Sequence, residues 1–489
     1  MSRFCFCIVS LTLLLLSFVA GNVLAEDASA PPNIVFLLID DMGWPDVTCY
    51  GHPFHETPNI DRLCAEGMKF TDFYAATPVC SSTRSTIQSG QYSARTAITD
   101  FIPGHWRPFE KLIVPPIEHQ LSDDIQSPGK VLGDAGYATG HFGKWHIGPN
   151  DADGPSLLGY QMNAKTMPPE FNAWRETNEA GPKRMRLLTD QTLFFMEQNK
   201  DRPFFVTLSH HAVHIRLEAN DETLAKYEAK PAPEEGVNNP AYAAMIEDLD
   251  DTIGEVLDKI DELGIADNTI VVFTSDNGGL RMIYTGVGEI VSTNAPLRDE
   301  KGTLYEGGIR VPMIVRWPGV TTSGSVSAEP TTTADLLPTF CEMAGVQTPD
   351  QPIDGSSIVP LLRDVEAELA REAIYFHYPH YHHSTPAGAI RMGDWKLIEF
   401  FDGTPCELYN LAEDIGESND LAAANPDRVS AMRRELALWR EEVGARMPTV
   451  NPDYDPDHAA DWWSRRTNEP LDIEAMERNY RTQQRGESH

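Results

Sequence analysis

Basic residues are scarce in this chain: 39 lysines and arginines stand against 73 aspartates and glutamates, a net charge of −34 over 489 residues. That balance excludes nucleic acid and acidic membrane surfaces as partners, since either would be repelled by the surface as a whole. It also means that an anionic substrate needs a local pocket of positive charge. Cysteine is scarce too, seven in all. Cys5 and Cys7 sit in the opening stretch MSRFCFCIVSLTLLLLSFVAGNVLA, where Arg3, an apolar run from Phe4 to Ala20 and Val23-Leu24-Ala25 read as an export signal over residues 1–25, cleaved after Ala25. The run falls short of the about 20 apolar residues of a membrane-spanning helix. No cysteine follows the cut to carry a lipid. The mature chain is therefore expected in the periplasm or secreted, with no membrane attachment. No Asn is followed two positions later by Ser or Thr, so glycosylation sequons are absent, which favours a bacterial periplasm over a eukaryotic secretory route. The remaining cysteines are Cys49, Cys64, Cys80, Cys341 and Cys406; four could pair under oxidising conditions, and one thiol is left over. Internal repeats and low-complexity blocks are also missing.

What is present is an alternation of strands and helices. Residues 33–40, NIVFLLID, form a continuous apolar run ending in an acid, the pattern of a strand buried on both faces of a parallel sheet. Similar runs recur at 137–142, 203–209, 268–276 and 311–317, separated by helical patterns at 57–67, 187–199, 241–264 and 331–345. The expected fold is α/β: a large mixed, mostly parallel sheet sandwiched by helices, in a catalytic domain over residues 30–362. Beyond Leu362, AIYFHYP, GAIRMGDWKLIEFF and CELYNL read as short antiparallel strands, and 427–447 as a closing amphipathic helix. These make a small C-terminal subdomain over 363–447. A polar extended tail follows over 448–489.

Chemistry collects at the expected strand ends. Asp40-Asp41 follows the first strand and Asp276-Asn277 follows IVVFTS. Oxygen ligands without cysteine or histidine among them suit a hard cation, Ca²⁺ or Mg²⁺, rather than zinc. Lys144 and His146 in GHFGKWHIG, His214 in LSHHAVHIR and Lys301 ahead of a glycine turn lie at comparable places. If the 144–146 segment is extended, Lys144 and His146 face the same side. With Arg84 these groups make an anion pocket beside the cation, an arrangement fitted to a tetrahedral oxyanion under attack. Cys80 stands among small hydroxyl residues in TPVCSSTRSTIQSG, just ahead of a helix reading from about Ser85, a place where a thiol is easily deprotonated.

The motifs NIVFLLIDDMG, TPNIDRLCAEGMKF, VCSSTRSTIQSG, GKWHIG, AVH, TSDNGG and KGTLYEGGIRVPMIVRWPG, in this order, resemble those of the formylglycine-dependent sulfatases of the alkaline-phosphatase-like superfamily. The resemblance runs from about Asn33 to about Gly444. It implies that Cys80 is oxidised to Cα-formylglycine during export by a formylglycine-generating or an anaerobic sulfatase-maturating enzyme. It further implies that Asp40, Asp41, Asp276 and Asn277 hold Ca²⁺ together with the residue at position 80. Arg84 would steady the hydrated aldehyde; Lys144, His214 and Lys301 would grip the sulfate; His214 or Lys301 would protonate the departing alcohol; His146 would be the base for release of sulfate. One departure stands out: the family's Cys-x-Pro-x-Arg or Cys-x-Ala-x-Arg motif has Ser82 here at the Pro or Ala place.

For the substrate, residues 375–391 supply His377, His380, His382 and His383 with three tyrosines, either a sugar-binding loop or a loop packed on the sheet. Trp462-Trp463 in the tail reads as a packing anchor before a sugar platform. Export, acidity and the polar aromatic loop point to a sulfated carbohydrate as the substrate. The alternatives are a phosphodiester or phosphonate monoester hydrolase of the same superfamily, or a non-catalytic binder of sulfated glycans.

Overall fold

The computed structural model describes residues 30–233, 237–282, 290–464, 467–476 and 478. The expected export signal and its cleavage point lie outside the described residues, as does the chain from residue 479 onward. A seven-stranded sheet is built from β1 Asn33–Ile39, β2 Met68–Phe70, β3 Ala138–Gly143, β4 Phe204–Ser209, β5 Thr269–Ser275, β6 Met313–Arg316 and β7 Ser325–Ser327. The spatial order is β3-β4-β1-β5-β6-β2-β7. The first four strands are parallel, β6 runs against both of its neighbours, and β2 pairs in parallel with β7.

All of β1 is buried because helices cover both faces. Its alternate side chains separate into two cores, as a period of two requires. Val35, Leu37 and Ile39 pack with α1 (Pro58–Glu66), α3 (Met185–Asn199) and α4 (Pro240–Glu262). Ile34, Phe36 and Leu38 pack with α2 (Cys80–Ser89) and α5 (Leu336–Met343). Each such side chain taken fully out of water contributes about 2 kcal/mol. The long helix α4 starts where Pro240 fits the first helical position and Asn239 accepts the N–H groups of Ala241 and Tyr242.

A second sheet, four-stranded and antiparallel, follows: β8 Ile374–Tyr378, β9 Ala387–Met392, β10 Trp395–Phe400 and β11 Glu407–Asn410. One face carries α6 (Pro426–Glu442) through Ile390, Leu397, Leu408, Met432 and Leu436. The other face packs Phe376, Ala389 and Ile398 on Tyr74 and Ile309. Between the sheets lies a buried ionic knot in which Lys396 Nζ sits 2.8 Å from both Glu306 and Glu417. This is the fold class expected from sequence, a mixed, mostly parallel sheet between helices with a small antiparallel sheet behind it. No helix among the described residues is long and apolar enough to cross a membrane.

Candidate active site

Because β1, β3, β4 and β5 run the same way, their carboxyl ends open at one edge of the sheet. Asp40-Asp41 and Asp276-Asn277 leave adjacent strands there, and Lys144, His146 and His214 follow β3 and β4. The chain does not run extended through 144–146. His146 adopts a left-handed φ of 59°, and Gly143 takes φ 111°, where an added Cβ would strike the Ser209 carbonyl. This turn sends Lys144 to Asp40 and His146 to Cys80. Asp41 is also left-handed, at φ 62°, a conformation a non-glycine residue holds at some cost and one concentrated at functional sites.

The helix α2 begins at Cys80 itself, not at Ser85. Every residue of it is buried, and three of its hydroxyls bond within the helix: Ser85 and Thr86 donate to the Ser82 carbonyl, and Ser89 to that of Ser85. One turn in, Arg84 donates through Nε to Asp276 Oδ2 at 2.8 Å, and its Nη2 stands 2.8 Å from the same oxygen as an ion pair. Its Nη1 donates to the Lys144 carbonyl at 2.8 Å and to Ser209 Oγ at 2.6 Å. Lys144 Nζ bridges both oxygens of Asp40 at 2.7 Å, and Lys301 Nζ both oxygens of Asp41 at 2.7 Å. Asn277 donates to Asp41 Oδ1 at 2.8 Å, and His214 Nε2 stands 3.6 Å from Asp41 Oδ2. Cys80 Sγ lies 3.2 Å from His146 Nδ1, whose Nε2 is 2.7 Å from the Ile102 carbonyl. All ten residues singled out from the sequence thus meet at this edge.

Electrostatics follow from that crowding. Burial alone would push the Cys80 thiol up, but Lys144, His146 and Lys301 outweigh it and hold it well below the ordinary thiol range. Burial likewise opposes ionisation of Asp40 and Asp41, yet the surrounding Lys144, Lys301 and His214 keep both below the usual carboxylate value. Burial pushes Asp276 up to about 7, with Arg84 opposing. Burial also lowers His214, against the pull of Asp41, whereas the neighbouring Cys80 outweighs burial and raises His146.

The donor set fits a hard divalent cation. Asp40, Cys80 and Asp276 bring ligand atoms within 4.8 Å of one another. Asn277 Oδ1 is buried with no hydrogen-bond partner among the described residues, an acceptor left for an ion to use. A second buried group, Asp46, His52 and His55, is turned inward instead. His52 Nδ1 accepts the N–H groups of Phe54 and His55, His55 Nδ1 faces the Asp46 carbonyl, and Asp46 Oδ2 accepts from Gly43 and Tyr242. It fixes the turn after β1.

Over Cys80 lies a cavity of about 680 Å³ lined by His146, His214 and Lys301 and, farther out, by His105, His382 and His383 and the tail. The histidine-rich loop therefore divides. His382 and His383 reach the cavity, with His383 Nδ1 2.9 Å from the Lys301 carbonyl and His382 packed so tightly on Gly302 that a Cβ there would overlap its ring. His377 and His380 are buried elsewhere, against the Arg446 carbonyl and Thr99 Oγ1. Three contributors carried no local sequence signal: Ser209, which braces Arg84, the Ile102 carbonyl, and the tail beyond Trp463.

Comparison with known proteins adds the following. A family model described as Sulfatase matches residues 32–346, and one described as N-sulphoglucosamine sulphohydrolase, C-terminal, matches 299–441. A sulfatase of Formosa agariphila is 31% identical, covering 88% of this chain and 93% of its own. Human N-acetylgalactosamine-6-sulfatase is 31% identical, covering 87% and 88%. The crystal structure of Ps i-CgsB in complex with k-i-k-neocarrahexaose superposes with a TM-score of 0.69 at 25% identity, covering 94% of this chain and 99% of that one.

Proposed function

The chain belongs to the sulfatase family, and on that premise we propose that it removes sulfate from a sulfated carbohydrate, with formylglycine at position 80 as the nucleophile and Ca²⁺ as the cofactor. The observation that carries this reading is Cys80 opening a buried helix beside His146 Nδ1, facing three carboxylates and three permanent cations. Relatives named for a sugar sulfate, and a neighbour in complex with k-i-k-neocarrahexaose, support carbohydrate as the substrate class.

Asp40, Asp41, Asp276 and Asn277, with the residue at position 80, would hold the cation. A bound Ca²⁺ would supply positive charge that favours an ionised hydroxyl nucleophile and offsets the charge of the sulfate. A maturation enzyme would supply the oxidation of Cys80 to the aldehyde. Its hydrate would supply two hydroxyls, one as the nucleophile toward sulfur and one whose ionisation would release sulfate with return of the aldehyde. His146 is set up as the base for that second step. Its Nε2–H donates to the Ile102 carbonyl, so the lone pair of Nδ1 points at position 80. Lys144 and Lys301 are held charged by their carboxylate partners and clamp the sulfate oxygens. His214 Nε2 and Lys301 Nζ both flank Asp41 at the cavity floor, and either would be placed to protonate the leaving alcohol. Arg84 fixes Asp276 and the Lys144 backbone.

The test is release of sulfate from monosulfated galactose and N-acetylgalactosamine by exported protein whose position 80 has been read by peptide mass. Activity should track the aldehyde fraction, vanish in Cys80→Ala and fall on chelation of divalent ions. Turnover by protein carrying only the plain thiol overturns the mechanism. Faster release of phosphate from phosphodiesters or phosphonates than of sulfate overturns the substrate class.

A further inference from the structure

The outer wall of the cavity comes from a part of the chain past the matched family regions, which end at residue 441. From Thr449 the tail runs back along residues 105–113. Thr449–Val450 pairs antiparallel with Leu112–Ile113. Asn451 donates through Nδ2 to the carbonyls of Pro108 and Glu110, Asp455 N–H donates to Phe109, and Trp463 N–H donates to the Trp106 carbonyl at 2.9 Å. Trp462 is pinned on both sides: the Arg107 guanidinium lies 3.7 Å from its ring centre and the His105 ring 4.2 Å away. The chain then doubles back, Leu471 N–H donating to the Trp462 carbonyl, and delivers Leu471, Ile473 and Met476 to the cavity beside Trp463. Leu471 and Met476 each remain 36% exposed, so the tail holds apolar surface open over the site.

Resting on the reading of the site as a sulfatase centre, we propose that Trp463, Leu471, Ile473 and Met476 form the subsite for the alcohol portion of the ester and determine specificity there. The sulfate is gripped at the floor, at Lys301 and His214, and the cavity wall facing it presents an indole and aliphatic side chains. A pyranose ring has an apolar C–H face that matches such a wall, and stacking on an indole strengthens binding beyond simple burial. The same strip holds the catalytic end in place: residues 105–113 continue from Ile102, whose carbonyl orients His146 and whose N–H is bonded to Ser81 Oγ at 3.0 Å. The wall is therefore built in register with the base.

Trp463→Ala and Ile473→Ala, made in the full-length matured chain, test this. The probe is whichever of 2-, 4- and 6-sulfated galactose or N-acetylgalactosamine the wild-type chain turns over fastest, with inorganic sulfate as an inhibitor that reads the anion floor alone. KM for the sugar sulfate should rise about tenfold with kcat within about twofold, the Ki of inorganic sulfate should stay unchanged, and Trp463→Phe should recover most of the loss. Unchanged KM in both variants overturns the proposal, as does a Ki for sulfate that rises in step with KM, since the tail would then support the floor rather than bind the alcohol. A wild-type chain inactive on every ester would instead overturn the reading of the site itself.

Discussion

Removal of Arg84 is the sharpest perturbation of the site. The guanidinium and the Asp276 carboxylate are 3% and 0% exposed, and two nitrogens meet one oxygen at 2.8 Å. Arg84→Ala leaves that carboxylate buried without its cation, close to Asp40, a loss of about 3–5 kcal/mol. Asp276→Ala strands the guanidinium at a similar cost, although the bonds of Nη1 to Lys144 and Ser209 remain. In the double variant neither charge is stranded, so its loss should fall short of the sum of the singles by about 2–3 kcal/mol. Arg84→Lys keeps the charge and loses the fork, and should lie between wild type and Arg84→Ala. Urea denaturation in chelator at neutral pH, followed by tryptophan fluorescence, measures all four variants. Excess Ca²⁺ should then restore more stability to Arg84→Ala than to the wild-type chain, because the cation takes over as the carboxylate's partner. A loss under about 1 kcal/mol for Arg84→Ala, or additive losses in the double variant, would refute the claim that this pair is the electrostatic keystone of the edge.

Three further perturbations follow from buried groups. Ser82 Oγ is buried with no partner among the described residues, at the third position of a helix, where the N–H has no intrahelical acceptor and proline or alanine is equally compatible with the backbone. Ser82→Ala should raise the urea midpoint, by about 1 kcal/mol of stability, and a fall would show that the hydroxyl is satisfied. In the ionic knot, burial pushes Glu417 up to about 7 despite Lys396, from an ordinary value of 4.5. Its folded form holds the proton more tightly, so its contribution is full below about pH 4.5 and lost as pH rises through 7. Glu417→Gln should flatten the decline in stability across that window by about 3 kcal/mol, and an unchanged slope counts against the assignment. The thiols of Cys49 and Cys64 are in hydrogen-bond contact, and that bond is the main reason Cys64 is held down to about 7. Peptide mapping without reductant, on protein passed through an oxidising compartment, should recover a Cys49–Cys64 disulfide with Cys341 and Cys406 free; two unpaired thiols at 49 and 64 would exclude it.

What could be read from the chain, and what could not, divides along a physical line. A strand buried on both faces is mostly apolar, so β1, β4 and β5 stand out as runs and β3, with Thr139 and His141, less so; parallel strands end together, so their polar followers share an edge. The direction of β6 did not show, because burial looks the same whichever way a strand runs. β2 and β7 have three residues each, too few for a period. The start of α2 was displaced in the reading because serine and threonine compete with the helix backbone when exposed to water. In this buried helix the hydroxyls of Ser85, Thr86 and Ser89 turn to carbonyls three and four residues back.

The outer cavity was hidden for a different reason. Trp462-Trp463 suggested packing, and Trp462 does pack, between Arg107 and His105. Its companion's place beside Leu471, Ile473 and Met476 over Cys80 depends on a strip of backbone hydrogen bonds between residues some 340 positions apart, as from the Asn451 N–H to the Lys111 carbonyl. Backbone pairing of that kind is nearly blind to side-chain identity, so no local pattern announces it. The floor of the site is dictated by strand direction and charge, both written locally. The wall is dictated by where a polar tail meets carbonyls distant along the chain, which no local pattern records.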